Sequence, residues 1–406
     1  MKYFTASLSN GIRFVHMLTD RPVSHLGIIV NAGSRDELEQ ESGMAHYIEH
    51  ILFKGTKNRK AYHILSRMED VGGEIDAYTT KEDTVIYSSF LETYYERAAD
   101  LLSDILFNST FPEKEILKEK EVIYDEIASY LDSPSEQIYD DFENRIYKGH
   151  SLGRNILGDK ESLIQFTKKD VQAFMQRTYN TDQMVICSIG SLPMEKAEKI
   201  IQKYFSIAKE NKRKWSRKSF TNYKVFNQIE QKDTHQAHCI LGNMAYSSYD
   251  DKGKNLILLN NLLGGPGLNS RLNLLLREKY AWVYNIESNY ARYSDTGVWS
   301  VYFGSDKENY KKVIKALQKE LQNMSDMNLG PKQLEKAKQQ IIGQMALSSE
   351  NNQEMLLGMG KNYLLYNHID SFEEIKDKVH SISVDDIRKT AAEIFNPKKI
   401  SSIIFV

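Results

Sequence analysis

Cysteine and net charge are both scarce in this chain, and each shortage excludes a class of protein. Only two cysteines occur among 406 residues, Cys187 and Cys239, so a framework of several disulfides is excluded. Each lies in an apolar, strand-like segment, which favours buried free thiols over one structural disulfide. The formal net charge of −2 provides no basic field that would attract nucleic acid or an anionic membrane.

Long hydrophobic stretches are also missing. No run approaches the roughly 18 apolar residues that a membrane-spanning helix needs. Residues 1–11 contain neither an apolar signal core nor an Arg-rich presequence, and the Asn10-Gly11 step predicts a hairpin between two strands. We therefore expect a cytoplasmic protein of bacterial type, with no membrane partner and no nucleic-acid partner.

What the chain does contain is ordinary globular composition, with 41% hydrophobic and 27% charged residues. A chain of this length exceeds one hydrophobic core, which predicts two or more domains. A helix-turn-strand pattern recurs at a constant offset of 216: residues 166–171 lead to a strand at 184–189, and residues 382–387 lead to one at 400–406. This predicts an α+β fold of two homologous domains, each a mixed sheet packed with helices.

The boundary between the halves is indicated by a basic segment. We expect an N-terminal domain at 1–208, a linker at 209–226 and a C-terminal domain at 227–406. Residues 209–218 are polar and rich in Lys and Arg, without apolar periodicity, which is typical of a solvated connector. A nucleic-acid-binding patch is the alternative interpretation, and it predicts salt-dependent binding.

The first candidate site is the pentad His46-Tyr47-Ile48-Glu49-His50. It lies in a segment, 42–54, that predicts a helix closed by Gly55. Because His46 and His50 are four apart, both imidazoles project from one helical face and can reach a single zinc ion. Glu49 lies on the same face, where a carboxylate can act as general base on water. A helix that merely carries two histidines is the alternative.

A catalytic zinc ion normally has three protein ligands and one open position. The segment 113–130 predicts a second helix, which carries several carboxylates. Glu119 and Glu126 are seven apart and fall on nearly the same face. We expect Glu126 to be the third ligand and Glu119 to support the ligands without binding the metal itself. A solvated, charged helix face is the alternative.

Several further motifs accompany this pentad. They are the strand before Asn10-Gly11, Gly33-Ser34-Arg35-Asp36-Glu37, Phe53-Lys54-Gly55-Thr56, Gly72-Gly73-Glu74-Ile75-Asp76-Ala77, and Gly264 to Leu272 followed by Leu276-Arg277-Glu278-Lys279 and Tyr284. With these motifs the whole chain resembles the pitrilysin and insulin-degrading-enzyme superfamily of inverted-motif zinc peptidases. It is most similar to the short branch that includes mitochondrial processing peptidase and its bacterial relatives.

The resemblance implies roles for particular residues. Glu126 follows His50 by 76 residues, as the glutamate ligand does in the family, and Glu119 matches the supporting glutamate. Arg277 and Tyr284 match the pair that reaches the substrate near the zinc, and Ala77 lies on the substrate-binding edge strand. Two departures affect substrate preference: Asp76 stands where many relatives have Asn, and Tyr280-Ala281-Trp282-Val283 replaces a common Arg-Gly-Leu-Ala.

The resemblance also implies a function and an assembly. We expect a zinc endopeptidase, with one ion per subunit, that hydrolyses unfolded peptides or leader segments inside a dimeric clamshell of which this chain is one half. Because the chain carries both the zinc motif and the Arg277/Tyr284 pair, a homodimer is favoured, and a heterodimer stays open. A non-catalytic, peptidase-like scaffold is the alternative, as some relatives in respiratory complexes are.

Overall fold

The computed structural model describes residues 3–326 and 329–406, and these residues form two compact units. Of the described residues, unit 1 comprises 3–127, 154–217 and 347–371, and unit 2 comprises 128–153, 218–326, 329–346 and 372–406. Each unit is therefore built from several separate stretches of chain. The division at 208 and 227 remains a prediction, because the units follow spatial contacts and not chain order.

The described residues contain eleven strands and fourteen α-helices, numbered here in chain order. The strands are β1 Tyr3–Ser7, β2 Arg13–Leu18, β3 Val23–Val30, β4 Glu74–Thr79, β5 Thr84–Leu91, β6 Met184–Gly190, β7 Asn227–Glu230, β8 Ala237–Ala245, β9 Val283–Arg292, β10 Gly297–Ser305 and β11 Ser401–Phe405. The helices are α1 Met44–Leu52, α2 Ala61–Glu69, α3 Tyr95–Asn108, α4 Glu113–Leu131, α5 Pro134–Ile146, α6 Lys160–Gln165, α7 Lys168–Thr178, α8 Met194–Phe205, α9 Gly253–Gly264, α10 Tyr310–Asp326, α11 Pro331–Ser348, α12 Asn352–Tyr366, α13 Phe372–His380 and α14 Val384–Ile394.

Unit 1 contains a six-stranded sheet in the order β1-β2-β6-β3-β5-β4. β2 and β6 run parallel and the other neighbours run antiparallel. The predicted hairpin at Asn10-Gly11 joins β1 to β2, and Gly11 takes the positive φ of 90° that such a tight turn requires. β4 lies at the edge of the sheet, so one row of its backbone groups has no partner strand.

Alternation along β3 explains how the sheet of unit 1 is covered on both faces. Leu26, Ile28 and Val30 point into the larger core, which includes residues of α1, α3, α4, α7 and α8. Ile29 points to the other face and packs with Leu356 of α12. The second half of β3 is therefore apolar on both faces, and each fully buried aliphatic side chain contributes roughly 1.5–3 kcal/mol.

Unit 2 contains a five-stranded sheet in the order β7-β11-β8-β10-β9. Leu241 of β8 faces a core shared with α9, α10, α11, α13 and α14, whereas Ile240 faces the opposite side, where α5 packs through Phe142. α5 comes from the first half of the chain and α12 from the second half. Each sheet is therefore covered on one face by a helix from the other half of the sequence.

The repeat predicted from the sequence is confirmed in three dimensions. α7 and α14 start with the same reciprocal cap, Thr167 with Asp170 and Ser383 with Asp386. Each helix leads to a strand inside its sheet, β6 or β11, and each of these strands has one parallel and one antiparallel neighbour. The expected α+β fold of two similar, helix-packed mixed sheets is thus confirmed.

The basic segment 209–226 has neither helix nor strand, and part of it contacts unit 1. Arg217 donates to the Asp36 carboxylate at 2.7 Å, and that carboxylate is fully buried. The Arg213 guanidinium stacks on Trp215 at 4.3 Å, and the Trp215 indole donates to the Arg177 carbonyl. The segment 213–217 thus alternates between exposed residues, Lys214 and Ser216, and half-buried ones, and Arg217 is held because a buried carboxylate needs a cationic partner.

Two further expectations concern cysteine and the membrane. Cys187 of unit 1 and Cys239 of unit 2 are both buried and free, as the apolar segments around them indicated. Burial raises the pKa of the Cys187 thiol to about 12, so this group is an unreactive core residue at neutral pH. Within the described part of the chain, none of the helices combines the length and the apolarity that crossing a bilayer requires.

Candidate metal centre

The helix that carries the two motif histidines is shorter than the sequence indicated. α1 begins after Gly43, which has a φ of 89°, and spans nine residues. The chain leaves the helix at Phe53, and Gly55 lies in a separate turn closed by a hydrogen bond from the Thr56 N–H to the Arg59 carbonyl. The prediction that Gly55 closes the helix is wrong, because this turn redirects the backbone after Phe53.

One face of α1 is apolar and anchors the helix in unit 1. Tyr47, Ile48 and Ile51 are fully buried in the larger core. The Tyr47 hydroxyl also donates to the Ile116 carbonyl in the first turns of α4 at 2.7 Å. α1 and α4 are therefore joined, and the opposite face of α1, which carries His46, Glu49 and His50, is turned towards the carboxylates of α4.

His46, His50 and Glu126 converge on one point. The Nε2 atom of His46 lies 3.7 Å from one carboxylate oxygen of Glu126, and the Nε2 atom of His50 lies 3.6 Å from the other. Around a tetrahedral zinc ion with bonds of about 2.1 Å, neighbouring ligand atoms are about 3.4 Å apart. One donor atom from each of the three residues lies within 4.8 Å of the others, so this set fits a single metal ion.

Glu119 supports this group from the buried side. One Glu119 oxygen lies 3.3 Å from the His50 Nδ1 atom, and the other accepts a hydrogen bond from the Lys54 ammonium at 2.7 Å. When Nδ1 carries the proton, the Nε2 lone pair of His50 is left free for a metal. Lys54 was not predicted as a site residue, and because it lies beyond the end of α1, helix spacing gave no signal for its contact with Glu119.

The electrostatics of His46 favour a neutral imidazole. Burial, and then the nearby His50, lower the pKa of His46 to about 4. A neutral imidazole is the form that binds metal. Among the described residues, the Nδ1 atom of His46 is buried without a hydrogen-bond partner. His46 therefore has no counterpart of the Glu119 contact that orients His50.

Glu49 lies on the same helical face as His46 and His50 but is not one of the three converging residues. Burial raises the pKa of Glu49 above its ordinary value, and the Glu126 and Asp76 carboxylates raise it further, while a hydrogen bond with Thr79 and the nearby His50 oppose the shift. A carboxylate with a raised pKa is a better proton acceptor. Thr79 was not predicted, although it follows Ala77 by two residues on β4, the spacing that puts both on one face.

The edge strand β4 lies next to this centre. Ala77 is half-buried on the strand, and its N–H donates to the Asp76 carboxylate at 2.8 Å. Asp76 is exposed and also accepts a hydrogen bond from the Tyr87 hydroxyl at 2.9 Å. Strand β4 thus combines a free backbone edge with an exposed carboxylate close to Glu49.

Comparison with known proteins agrees with this geometry. Residues 15–160 match the family model described as Insulinase (Peptidase family M16), and residues 165–341 match the one described as Peptidase M16 inactive domain. An uncharacterized zinc protease of Bacillus subtilis is 31% identical to this chain over 95% of it and 94% of its own length. The chain belongs to peptidase family M16.

Other known proteins are similar over comparable lengths. A probable mitochondrial-processing peptidase subunit beta of Schizosaccharomyces pombe is 27% identical, over 92% of this chain and 84% of its own. The crystal structure of a protease from Helicobacter pylori matches with a TM-score of 0.91 at 22% identity, over 100% of this chain and 99% of the other. A peptidase M16 inactive domain from Pseudomonas fluorescens matches with a TM-score of 0.93 at 19% identity, over 100% and 98%. The predicted superfamily is confirmed.

In this M16 chain, Arg277 and Tyr284 lie in unit 2, and the roles expected for them remain predictions. Arg277 is part of a π-helical turn, Asn273–Lys279, and lines a groove of about 550 Å³ between the glycine-containing loop 264–270 and the edge strand β9. Tyr284 is exposed at the start of β9 and donates to Asp306 at 2.9 Å. Between them, Trp282 stacks on Tyr280 at 4.3 Å.

Proposed function

We propose that this chain is a zinc-dependent endopeptidase that hydrolyses extended peptide segments. The observation that carries the proposal is the convergence of two imidazole Nε2 atoms and the Glu126 carboxylate, with Glu49 left over on the same face. Membership of a family whose relatives are named zinc proteases supports the same metal. His46, His50 and Glu126 are the proposed ligands, and one ion per subunit is expected.

A bound zinc ion supplies Lewis-acid activation of water and of the scissile carbonyl. Glu49 is the proposed general base, which takes a proton from the attacking water and delivers it to the leaving amine. Its raised pKa, caused mainly by burial, makes it a better proton acceptor. Glu119 holds His50 in the tautomer that presents Nε2, and Lys54 balances the buried charge of Glu119.

Substrate binding is proposed at β4. An extended peptide can add to this edge as a further strand, with main-chain hydrogen bonds near Ala77 supplying affinity and little sequence selectivity. Only an unfolded segment exposes its backbone in this way. The proposed substrates are therefore unfolded peptides, or leader segments that are still extended, and not folded proteins.

The proposed assembly is a homodimeric clamshell in which Arg277 and Tyr284 act on the peptide bound to the other subunit. Arg can hold a substrate carbonyl and Tyr can donate to a developing oxyanion. A relative named as the beta subunit of a processing peptidase makes a heterodimer the competing assembly. A cytoplasmic location, expected from the sequence, remains part of this proposal.

The activity is tested by digesting a mixed peptide library with wild type, Glu49→Gln and Glu121→Gln, and by mapping products with mass spectrometry. Glu121 is an exposed residue of the same α4 helix that carries the glutamate ligand, so it serves as the matched control. We expect chelator-sensitive cleavage by wild type and the control, and none by Glu49→Gln, which still binds zinc. A wild-type chain that binds no stoichiometric zinc and cuts nothing is a scaffold, and the proposal then fails.

The assembly is tested by mixing two inactive variants, Glu49→Gln and Arg277→Ala. If Arg277 acts across the dimer, a mixed dimer contains one site with both residues intact, and cleavage returns on mixing. If Arg277 acts within its own chain, every site lacks one residue and the mixture stays inactive. Sedimentation measured on the same samples shows whether a dimer is present at all.

A further inference from the structure

Helix α1, which carries two of the proposed metal ligands, has no N-terminal cap of its own. Its cap position is Gly43, and no side chain next to it in sequence accepts a hydrogen bond from the first turn. The first backbone N–H groups of a helix need acceptors, which are usually supplied by a Ser, Thr, Asp or Asn at the cap position. In the same unit, α12 follows that rule, because Asn351 accepts from the N–H groups of Gln353 and Glu354.

The missing acceptors of α1 come from Glu37, which lies in the loop before it. One Glu37 oxygen accepts from the Gly43 N–H at 3.1 Å, and the other accepts from the Ala45 N–H at 2.9 Å. Glu37 is buried, with 4% of its surface exposed. A carboxyl group here also meets the positive end of the helix dipole. Ala45 directly precedes His46, so the second hydrogen bond holds the backbone next to a proposed metal ligand.

Glu37 is itself held in place. The Arg154 guanidinium donates to the carbonyls of Glu37 and Leu38, both at 2.7 Å. On the other side of the helix start, a Cβ atom on Gly43 would lie 2.6 Å from the Leu157 carbonyl oxygen and 2.9 Å from the Gly158 Cα atom. The beginning of α1 is thus enclosed between the Glu37 loop and the segment that starts at Arg154.

The two motif histidines differ in how they are fixed. His50 has the Glu119 contact at its Nδ1 atom, whereas the Nδ1 atom of His46 is buried without a partner among the described residues. The position of His46 therefore depends on the backbone of α1, and His46 is the third residue of a nine-residue helix. A helix this short is marginal in isolation and relies on its contacts, and the buried residues Tyr47, Ile48 and Ile51 all follow His46. A loose first turn therefore displaces His46 before His50.

We propose that Glu37 is a positioning residue of the metal site: it caps α1 from a distance and thereby fixes His46 relative to His50 and Glu126. This inference rests on the proposed function, because it assumes that these three residues bind a metal. It assigns Glu37 a role in the geometry of the site and none in contact with substrate.

The test uses Glu37→Gln and Glu37→Asp, with Asn351→Ala as the matched control that removes a cap from α12. Gln keeps the size of the side chain but replaces one acceptor oxygen by a donor, and Asp keeps the carboxyl group but is one methylene shorter. Metal-free protein is titrated with Co²⁺ and followed by its visible absorption. We expect Co²⁺ affinity to fall by about tenfold or more in both Glu37 variants, with an altered spectrum, and to stay unchanged in the control.

A second readout separates positioning from general destabilisation. In the metal-free protein, nitrogen NMR of the imidazoles is expected to show a changed His46 signal and an unchanged His50 signal in the Glu37 variants. Glu37→Asp is the milder change. If this variant folds, binds Co²⁺ as tightly as wild type and shows an unchanged His46 signal, the inference is overturned and the peptidase proposal stays intact. Wild-type protein that binds no Co²⁺ would instead sink the peptidase proposal.

Discussion

Replacing Glu119 with Gln tests the hydrogen bonding around the metal site without changing any of the proposed ligands. The Glu119 side chain is only 4% exposed, and its two oxygens serve different partners, the Lys54 ammonium at 2.7 Å and the His50 Nδ1 atom at 3.3 Å. Gln has the same shape but a single acceptor oxygen. One of the two partners is therefore left facing an amide N–H₂ group.

The magnitude follows from what His50 loses. Removing a carboxylate partner from a metal-binding imidazole lowers its basicity and loosens its orientation, which typically weakens metal affinity by about 10–100-fold. That range corresponds to roughly 1.4–2.7 kcal/mol of binding free energy. We expect Glu119→Gln to fall in this range, and Lys54→Met to cause a smaller loss, because it removes the cation but leaves the Glu119 carboxyl group beside His50.

The assay is competition for zinc between metal-free protein and a chromophoric chelator at pH 7.5, with urea unfolding of the same samples as a check on folding. Glu121→Gln is the control, since Glu121 is exposed on the same α4 helix. The reasoning is refuted if folded Glu119→Gln binds zinc as tightly as wild type and Glu121→Gln do, because His50 would then need no carboxylate partner.

Three further predictions concern pH and the start of α1. Burial raises the pKa of Glu37 to about 8 from an ordinary 4.5, so its stabilising protonation is complete below pH 4.5 and lost as the pH rises through 8. We expect the free energy of unfolding of wild type, measured in urea, to fall by roughly 3–5 kcal/mol more than that of Glu37→Gln between pH 5 and 9. The same pH dependence in both proteins would contradict this. In metal-free protein, NMR should find His46 neutral down to a pKa of about 4. Since the unfolded chain binds this proton near pH 6.5, His46 lowers the stability of the fold as the pH falls from 6.5 to 4. A measured His46 pKa near 6.5 would contradict the prediction. Gly43→Ala should lower the free energy of unfolding by about 1–3 kcal/mol in thermal or urea unfolding, because Gly43 has positive φ and its new Cβ would meet the Leu157 oxygen. Gly72→Ala, at a position with positive φ but open space around it, should lower it less.

The part of the centre that the sequence predicted is the part set by local geometry. Helix periodicity alone places His46, Glu49 and His50 on one face of α1, and the same rule aligns Glu119 with Glu126 on α4. Choosing Glu126 among the carboxylates of α4 needed the family spacing as well, because no local rule selects which of several exposed glutamates meets a helix about seventy residues earlier.

The sequence by itself determined the two-domain α+β fold and the metal motif, since repeats, apolar periodicity and caps such as Thr167 are properties of neighbouring residues. Only the tertiary structure decided that Glu37 caps α1, that Lys54 pairs with Glu119, and that Arg217 is used to neutralise Asp36. It also decided that α5 and α12 cover sheets of the opposite half. The physical reason is common to all four: a buried polar or apolar group must find a partner, and which partner it finds depends on segments that the chain brings together only on folding.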